Sequence, residues 1–143
     1  MSISNTLKTI QDIMRIDEGM NGDAQRLSQL TWMIFLKNFD DREMEYEACE
    51  DDYVSPLSEE LRWRNWAANP EGITGDKLLE FVNNQLFKTL KNLNPNELND
   101  PRGRIVKDAF EDASNFMKDS NISYQSHNIS HLCYRFMQNP LIL

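Results

Sequence analysis

Six residues in two short segments of this sequence have the side chains needed to bind a phosphate group or the surface of a partner. The first segment places a tryptophan between two arginines, and the second places three basic residues at the predicted start of a helix. Free backbone N–H groups at a helix start attract anions, and neighbouring guanidinium groups strengthen that attraction. The candidate contacts with DNA or with a protein partner are therefore Arg62, Trp63, Arg64, Arg102, Arg104 and Lys107.

A purely structural role is the alternative for these side chains, because the chain carries a concentrated acidic segment. Residues 40–60, the acidic block, hold ten carboxylates and one arginine, so a local charge of −9 accounts for the whole net charge of −8. The arginines can form ion pairs with this block or with Glu111 and Asp112. Trp63 and Trp66 can fill the core instead of stacking on bases. The block itself is interpreted either as a solvated helix end and loop or as a docking surface for a basic partner.

No catalytic, cofactor or metal site is predicted from the remaining residues. The five glycines form no G-x-G pair and no P-loop, which argues against a site for a nucleotide-type cofactor. His127 and His131 are one helical turn apart and close to Cys133, but a full set of metal ligands is lacking. The acidic block lacks the glycine and the ligand spacing of a calcium loop, and solvated carboxylates lack the environment that raises one pKa for acid catalysis. No nucleophile lies in a recognisable catalytic context.

The elements that must position these residues are helices. Apolar residues recur at spacings of three and four along most of the chain, and no segment shows the period-two alternation of a strand. Thr74 and Asp100 are suited to be N-caps, and Pro101 follows at a first helical position. We therefore predict a single all-α domain of about four to five main helices with no sheet. The helical segments are expected at residues 3 to about 19, 23–47, 62–67, 74–93 and 101–117.

The composition argues against several classes of protein. No apolar run approaches the ~20 residues that span a bilayer, and the first residues lack the basic flank and apolar stretch of a secretory signal. Cys49 and Cys133 are too few for a disulfide framework, so we expect a cytoplasmic protein. Residues 1–125 are assigned to the helical domain. Residues 126–143 differ in character and are interpreted as an atypical tail, from a frameshifted or truncated gene or a naturally separate fragment.

Six ordered segments of the sequence resemble the N-terminal helical domain of the methylation subunit of type I restriction-modification systems. Together they span roughly residues 3 to 125, in the order and at the intervals of that family. Ordered segments of this combined length are more specific than any one of them alone. They are LKTIQDIM (7–14), GDAQRLSQL (22–30), FLKNFDD (35–41), LRWRNWA (61–67), GITGDKLLEF (72–81) and RGRIVKDAFED (102–112).

The resemblance implies partners and a reaction that this sequence does not carry by itself. In that family the helical domain precedes a Rossmann-like domain that binds S-adenosylmethionine and methylates the exocyclic amine of a flipped adenine. That domain uses an Asn-Pro-Pro-aromatic motif, and the subunit works with a specificity subunit and a restriction subunit. The five prolines here are never adjacent, so this motif is absent and the Rossmann-like domain is expected to be absent too. No catalytic or cofactor-binding residue carries over, and the chain alone is expected to be inactive.

Three functions are compatible with these features. The first is a non-catalytic helical module of a type I adenine methyltransferase subunit, which supports assembly with the specificity subunit and engagement of DNA. The second is a stand-alone interaction or adaptor protein that binds the methylation or specificity subunit. The third, direct DNA binding by the chain alone, conflicts with its net charge of −8. We therefore expect the first function, with no membrane partner.

Overall fold

The regular elements in the described part of this chain are helices. The computed structural model describes residues 3–16, 22–67, 69, 71–73, 75–94 and 100–118, and none of these residues lies in a strand. The prediction of an all-α fold without a sheet is therefore confirmed. A 3-10 turn (Glu59–Leu61) and a π turn (Phe81–Leu86) accompany the helices. The helices are α1 (Ile3–Ile16), α2 (Asp23–Cys49), α3 (Trp63–Trp66), α4 (Asp76–Glu80), α5 (Phe87–Lys91) and α6 (Pro101–Glu111).

The first half of α2 forms the centre of the core. Trp32 and Leu36, one helical turn apart, are both buried, as an apolar face at this spacing requires. The Trp32 ring meets Phe87 of α5 edge-on at a centroid distance of 5.1 Å, and Phe87 meets Phe110 of α6 at 5.2 Å. Such edge-to-face pairs add about 0.5–1.5 kcal/mol each to the stabilisation from burial alone. One aromatic cluster thus joins three helices.

Helix α6 runs antiparallel to α2. Near the end of α6, the ring centroid of Phe110 lies 6.0 Å from that of Phe35 in the first half of α2. At the start of α6, the guanidinium carbon of Arg102 lies 4.9 Å from the ring centroid of Tyr46 in the second half of α2. The predicted start of this helix is confirmed. The side chain of Asp100 accepts a hydrogen bond of 2.9 Å from the backbone N–H of Arg102, which satisfies one of the unpaired donors of the first turn.

The end of α6 differs from the prediction. The helix ends at Glu111, whereas the apolar spacing predicted continuation to Met117, and residues 113–118 are irregular. The physical reason is a contact with the buried amide of Gln29, whose oxygen accepts a hydrogen bond of 3.0 Å from the backbone N–H of Phe116. The Gln29 amide also donates to Asn115 at 2.8 Å. The bond to Phe116 takes a backbone N–H away from the helical pattern, and the bond to Asn115 holds the Gln29 amide in place. Met117 nevertheless remains buried, as its apolar character requires.

The predicted helix over 74–93 is present, but its centre is wider than an α-helix. The π turn separates α4 from α5, and apolar spacing alone gives no sign of this change of pitch. Thr74, the predicted N-cap, lies outside the described residues, and Gly75 occupies the N-cap position of α4. Gly75 has φ 69° and ψ −148°, a conformation that is essentially restricted to glycine.

Candidate binding surface

Trp63 and Trp66 lie in the core of the described structure. Their side chains are 1% and 3% exposed, and their rings meet edge-on at a centroid distance of 5.2 Å. Trp66 also lies 5.6 Å from Phe81, and its indole N–H donates to the backbone oxygen of Leu61 at 3.2 Å. The short helix predicted around these residues is observed as α3. Its aromatic side chains pack towards the protein, so neither ring is open to a base in this conformation.

The two arginines beside Trp63 form ion pairs with the second half of α2. The Arg64 guanidinium donates from Nε to Asp40 Oδ1 at 2.9 Å and from Nη1 to Glu47 Oε2 at 2.9 Å. The backbone N–H of Arg64 adds a 3.2 Å hydrogen bond to the other Asp40 oxygen. Arg62 donates to the second oxygen of Glu47 at 3.1 Å. These contacts tie α3 to α2, which is the structural role that was considered as the alternative for both arginines.

Asp40 is an unusual member of this ion-pair cluster because it is buried, with 3% of its surface exposed. Burial raises the pKa of the Asp40 carboxyl above its ordinary value, while the hydrogen bonds and the charge of Arg64 oppose that rise. Burial also lowers the pKa of the Arg64 guanidinium, but the hydrogen bonds and charges of Glu47 and Asp40 outweigh burial and raise it. The arginine is therefore the partner that makes a buried carboxylate tolerable at this position.

Arg102 lies against a pair of tyrosines, Tyr46 in the second half of α2 and Tyr53 in the segment that follows it. Its guanidinium carbon is 4.3 Å from the ring centre of Tyr53 and 4.9 Å from that of Tyr46, distances typical of a cation–π contact. The two rings are stacked on each other with centroids 5.6 Å apart, and Arg102 Nε donates to Asp100 at 3.1 Å. No described residue accepts a hydrogen bond from the two Nη atoms of Arg102. Among the described residues, the guanidinium is therefore positioned through its Nε atom and its ring contacts.

Glu43 fixes the tyrosine under this arginine. The buried carboxylate accepts a hydrogen bond of 2.8 Å from the Tyr53 hydroxyl and another from the hydroxyl of Ser55. Burial, followed by the hydrogen bond and charge of Glu43, raises the pKa of the Tyr53 hydroxyl, so Tyr53 remains the donor. The hydrogen bonds of Glu43 therefore link α2 to residues 53–55 and hold Tyr53 in position against Arg102.

The remaining candidates lie on α6. Arg104 is exposed and Lys107 is half-buried, so together with Arg102 they place three basic residues on one helix. The structure thus divides the six candidates into two groups. Arg62, Trp63 and Arg64 pack against α2, whereas the other three belong to α6.

The sequence pointed to the acidic block as a possible partner of the arginines but did not identify which of its carboxylates form the ion pairs. Asp40, Glu43 and Glu47 follow one another at spacings of three and four, so they share a face of α2, and the first two of them are buried. This spacing of three and four was the signal in the sequence that the three carboxylates lie on one face of α2. Tyr46 and Tyr53 were also missed, since nothing in the sequence shows that residues 46, 53 and 102 meet.

The described residues hold no other arrangement with obvious chemistry. In those ranges, no group of three or more histidine, cysteine, aspartate or glutamate side chains could hold a metal ion. None of the helices in the same part of the chain has both the length and the apolar character needed to cross a membrane. His127, His131, Cys133 and the predicted tail at 126–143 lie outside the described residues.

The fold and this surface define a class: an all-helical domain in which ion pairs join α3 to α2 and the other three basic candidates lie on α6. The sequence matches the family model of the HsdM N-terminal domain over residues 3–133. The chain therefore belongs to the family of HsdM N-terminal domains, found in methylase subunits of type I restriction-modification systems. The resemblance identified from the six sequence segments is confirmed.

Individual relatives agree with this assignment. The chain is 56% identical over 128 residues to the type I restriction enzyme EcoEI methylase subunit of Escherichia coli, which covers 90% of this chain and 26% of that protein. A modification subunit assigned to a type I restriction enzyme from Vibrio vulnificus superimposes with a TM-score of 0.76 and 28% identity, covering 98% of this chain and 34% of that one.

A third similarity comes from an assembled system. A chain from a structure that describes complex assembly and conformational transition of the type I R-M system gives a TM-score of 0.74 at 26% identity. The alignment covers 90% of this chain and 25% of that one. The chain thus spans between a quarter and about a third of the length of these relatives.

Proposed function

We propose that this chain is the module with which a type I methylation subunit assembles with the specificity and restriction subunits and engages DNA. In the whole subunit, S-adenosylmethionine would supply the methyl group to adenine, and no residue of this chain is assigned to that reaction. The relatives that align with the chain are methylation subunits, so no observation favours the adaptor alternative. Such a role places the chain in the cytoplasm, where bacterial DNA lies.

The observation that best supports DNA engagement is the immobilised guanidinium of Arg102. Stacking on Tyr46 and Tyr53 and the bond to Asp100 restrict the side chain before any ligand arrives. Less conformational entropy is then lost when Arg102 contacts a phosphate. Arg104 and Lys107 lie on other faces of the same helix and would add positive charge around its first half.

We assign Arg62, Trp63 and Arg64 a supporting role in this proposal. The charges of the two arginines are matched by Asp40 and Glu47, and Trp63 is buried. Their contacts keep the second half of α2 in place, which in turn carries Tyr46 beneath Arg102.

The test uses a type I complex whose methylation subunit carries this domain. Neutralising Arg102 and Arg104 together (R102Q/R104Q) should weaken binding of duplex DNA by about tenfold near physiological salt. The dependence of log affinity on log salt should become shallower by about two units, one for each lost phosphate contact. A matched control, K77Q/K88Q, removes two exposed lysines of α4 and α5 and should change the affinity less than about threefold.

The same experiment can refute the proposal. Equal losses in R102Q/R104Q and K77Q/K88Q would show only a general effect of charge, and unchanged binding in R102Q/R104Q would remove these arginines from the DNA contact. Separately, the purified chain alone should transfer no labelled methyl group from S-adenosylmethionine to DNA. Detectable transfer would contradict the non-catalytic assignment.

A further inference from the structure

A second surface lies at the opposite end of the α2–α6 pair from Arg102. The first half of α2 and the end of α6 enclose an open groove of about 480 Å³. Its apolar lining includes Trp32, Phe35 and Phe110, and two exposed carboxylates, Asp108 and Asp112, lie along it. Because α6 is antiparallel to α2, this groove and Arg102 are separated by most of the length of α6.

The electrostatics of the groove are consistently negative. The last carbonyl groups of a helix carry partial negative charge, so lysine or arginine is the residue type that stabilises a helix end. The last turn of α6 has no basic residue and instead ends with Glu111 and Asp112. No lysine or arginine is among the described residues that line the groove. The negative charges of the acidic side chains and of the end of α6 therefore reinforce one another. No described lining residue supplies a positive charge to balance them.

We propose that this groove binds a protein segment that presents lysine or arginine beside apolar side chains, as on one face of an amphipathic helix. The apolar side chains would cover the half-buried rings of Phe35 and Phe116 in the lining, as helices do in hydrophobic grooves of other proteins. The basic groups would neutralise Asp108, Asp112 and the end of α6. DNA cannot be the occupant because its phosphates have the same sign as the groove. This proposal does not depend on the proposed role of Arg102.

The probe is a fluorescently labelled amphipathic peptide of leucine and lysine. A leucine–glutamate peptide of the same pattern, which carries the opposite charge, is its control. Binding to the full chain is measured by fluorescence anisotropy. Reversing the carboxylates of the groove (D108K/D112K) should weaken binding of the lysine peptide by about tenfold. The control D51K/D52K makes the same change of net charge at two exposed positions beyond the other end of α2, and should weaken binding less than about threefold.

A second pair of variants tests the shape of the groove rather than its charge. Ala109 lines the groove and is exposed, so A109W should fill it and abolish binding of the lysine peptide. Ala48 is an exposed alanine near the far end of α2, and A48W should leave binding unchanged. Circular dichroism of each variant establishes that the helices are retained.

Three outcomes would overturn the proposal. The first is equal weakening in D108K/D112K and D51K/D52K, which would mean that the peptide responds only to net charge. The second is full binding in A109W. The third is self-association of the chain that A109W abolishes, because the occupant would then be a second copy.

Discussion

Replacing Arg64 with methionine tests how the arginines beside the tryptophans stabilise the fold. R64M keeps the aliphatic stem but leaves the carboxylate of Asp40, 3% exposed, without its guanidinium partner. Removing one partner of a buried ion pair typically costs about 3–5 kcal/mol. The Arg64 side chain is 25% exposed, and its backbone N–H still donates to Asp40 at 3.2 Å. We therefore expect a loss of about 2–3 kcal/mol in the free energy of unfolding.

Urea unfolding followed by tryptophan fluorescence is the assay, because Trp63 and Trp66 lie beside the substituted residue. R64M should lower the unfolding midpoint with little change in the slope. The matched control is R42M, which removes an ion pair with Glu45 whose side chains are 73% and 66% exposed and which should cost less than about 0.5 kcal/mol. In the double variant R64M/D40N most of the loss should be recovered, because no unpaired charge remains buried.

The pH dependence follows from the raised pKa of Asp40. A carboxyl whose pKa is higher in the folded state than in the unfolded state opposes folding once it ionises, and this penalty disappears below the unfolded pKa of about 4. R64M removes the guanidinium hydrogen bond and charge that oppose the rise, so the pKa of Asp40 in the folded state should rise further. The difference between R64M and the unsubstituted protein should therefore shrink as pH falls from about 7 towards about 4. Equal losses in R64M and R42M, or a difference that does not vary with pH, would refute this reasoning.

Three further substitutions probe other parts of the fold. Y53F removes the hydroxyl that donates to Glu43 and should cost about 1.5 kcal/mol in thermal unfolding, as expected for a hydrogen bond to a charged group. G75A places a side chain at φ 69° and should cost about 1–3 kcal/mol in urea unfolding. Q29L leaves the backbone N–H of Phe116 without its acceptor and should cost about 1–3 kcal/mol, with faster hydrogen exchange at that amide.

Each of these substitutions has its own contradicting result. Y46F removes a hydroxyl with no described partner and should be nearly neutral, so equal effects of Y46F and Y53F would argue against the role of Glu43. Unchanged stability in G75A would mean that the chain relaxes to another conformation at little cost. Unchanged exchange at Phe116 in Q29L would show that another group ends α6.

The helices of this fold could be predicted because their signals are local. Apolar spacing reports which face of a helix is buried, and Asp100 followed by Pro101 defines a helix start without reference to the rest of the chain. The early end of α6 was not predictable in this way. It depends on Gln29, 87 positions from Phe116, and a contact at that separation has no signature in the nearby sequence.

The candidate site was only partly predictable for a related reason. Residue types indicated that arginine and tryptophan at 62–66 would be either buried with partners or exposed for binding, but the choice depends on how α3 packs against α2. The carboxylates that decide it, Asp40 and Glu47, are 24 and 17 positions from Arg64. Likewise, the stack of Arg102 on Tyr46 and Tyr53 exists only because α6 is antiparallel to α2.

We propose that this domain engages DNA through the start of α6 as part of an assembled type I complex. The most direct measurement is the affinity of that complex for duplex DNA over a range of salt concentrations, with R102Q/R104Q compared with K77Q/K88Q. We expect about tenfold weaker binding and a shallower salt dependence for R102Q/R104Q alone. The same affinity and the same salt dependence for both variants would contradict it.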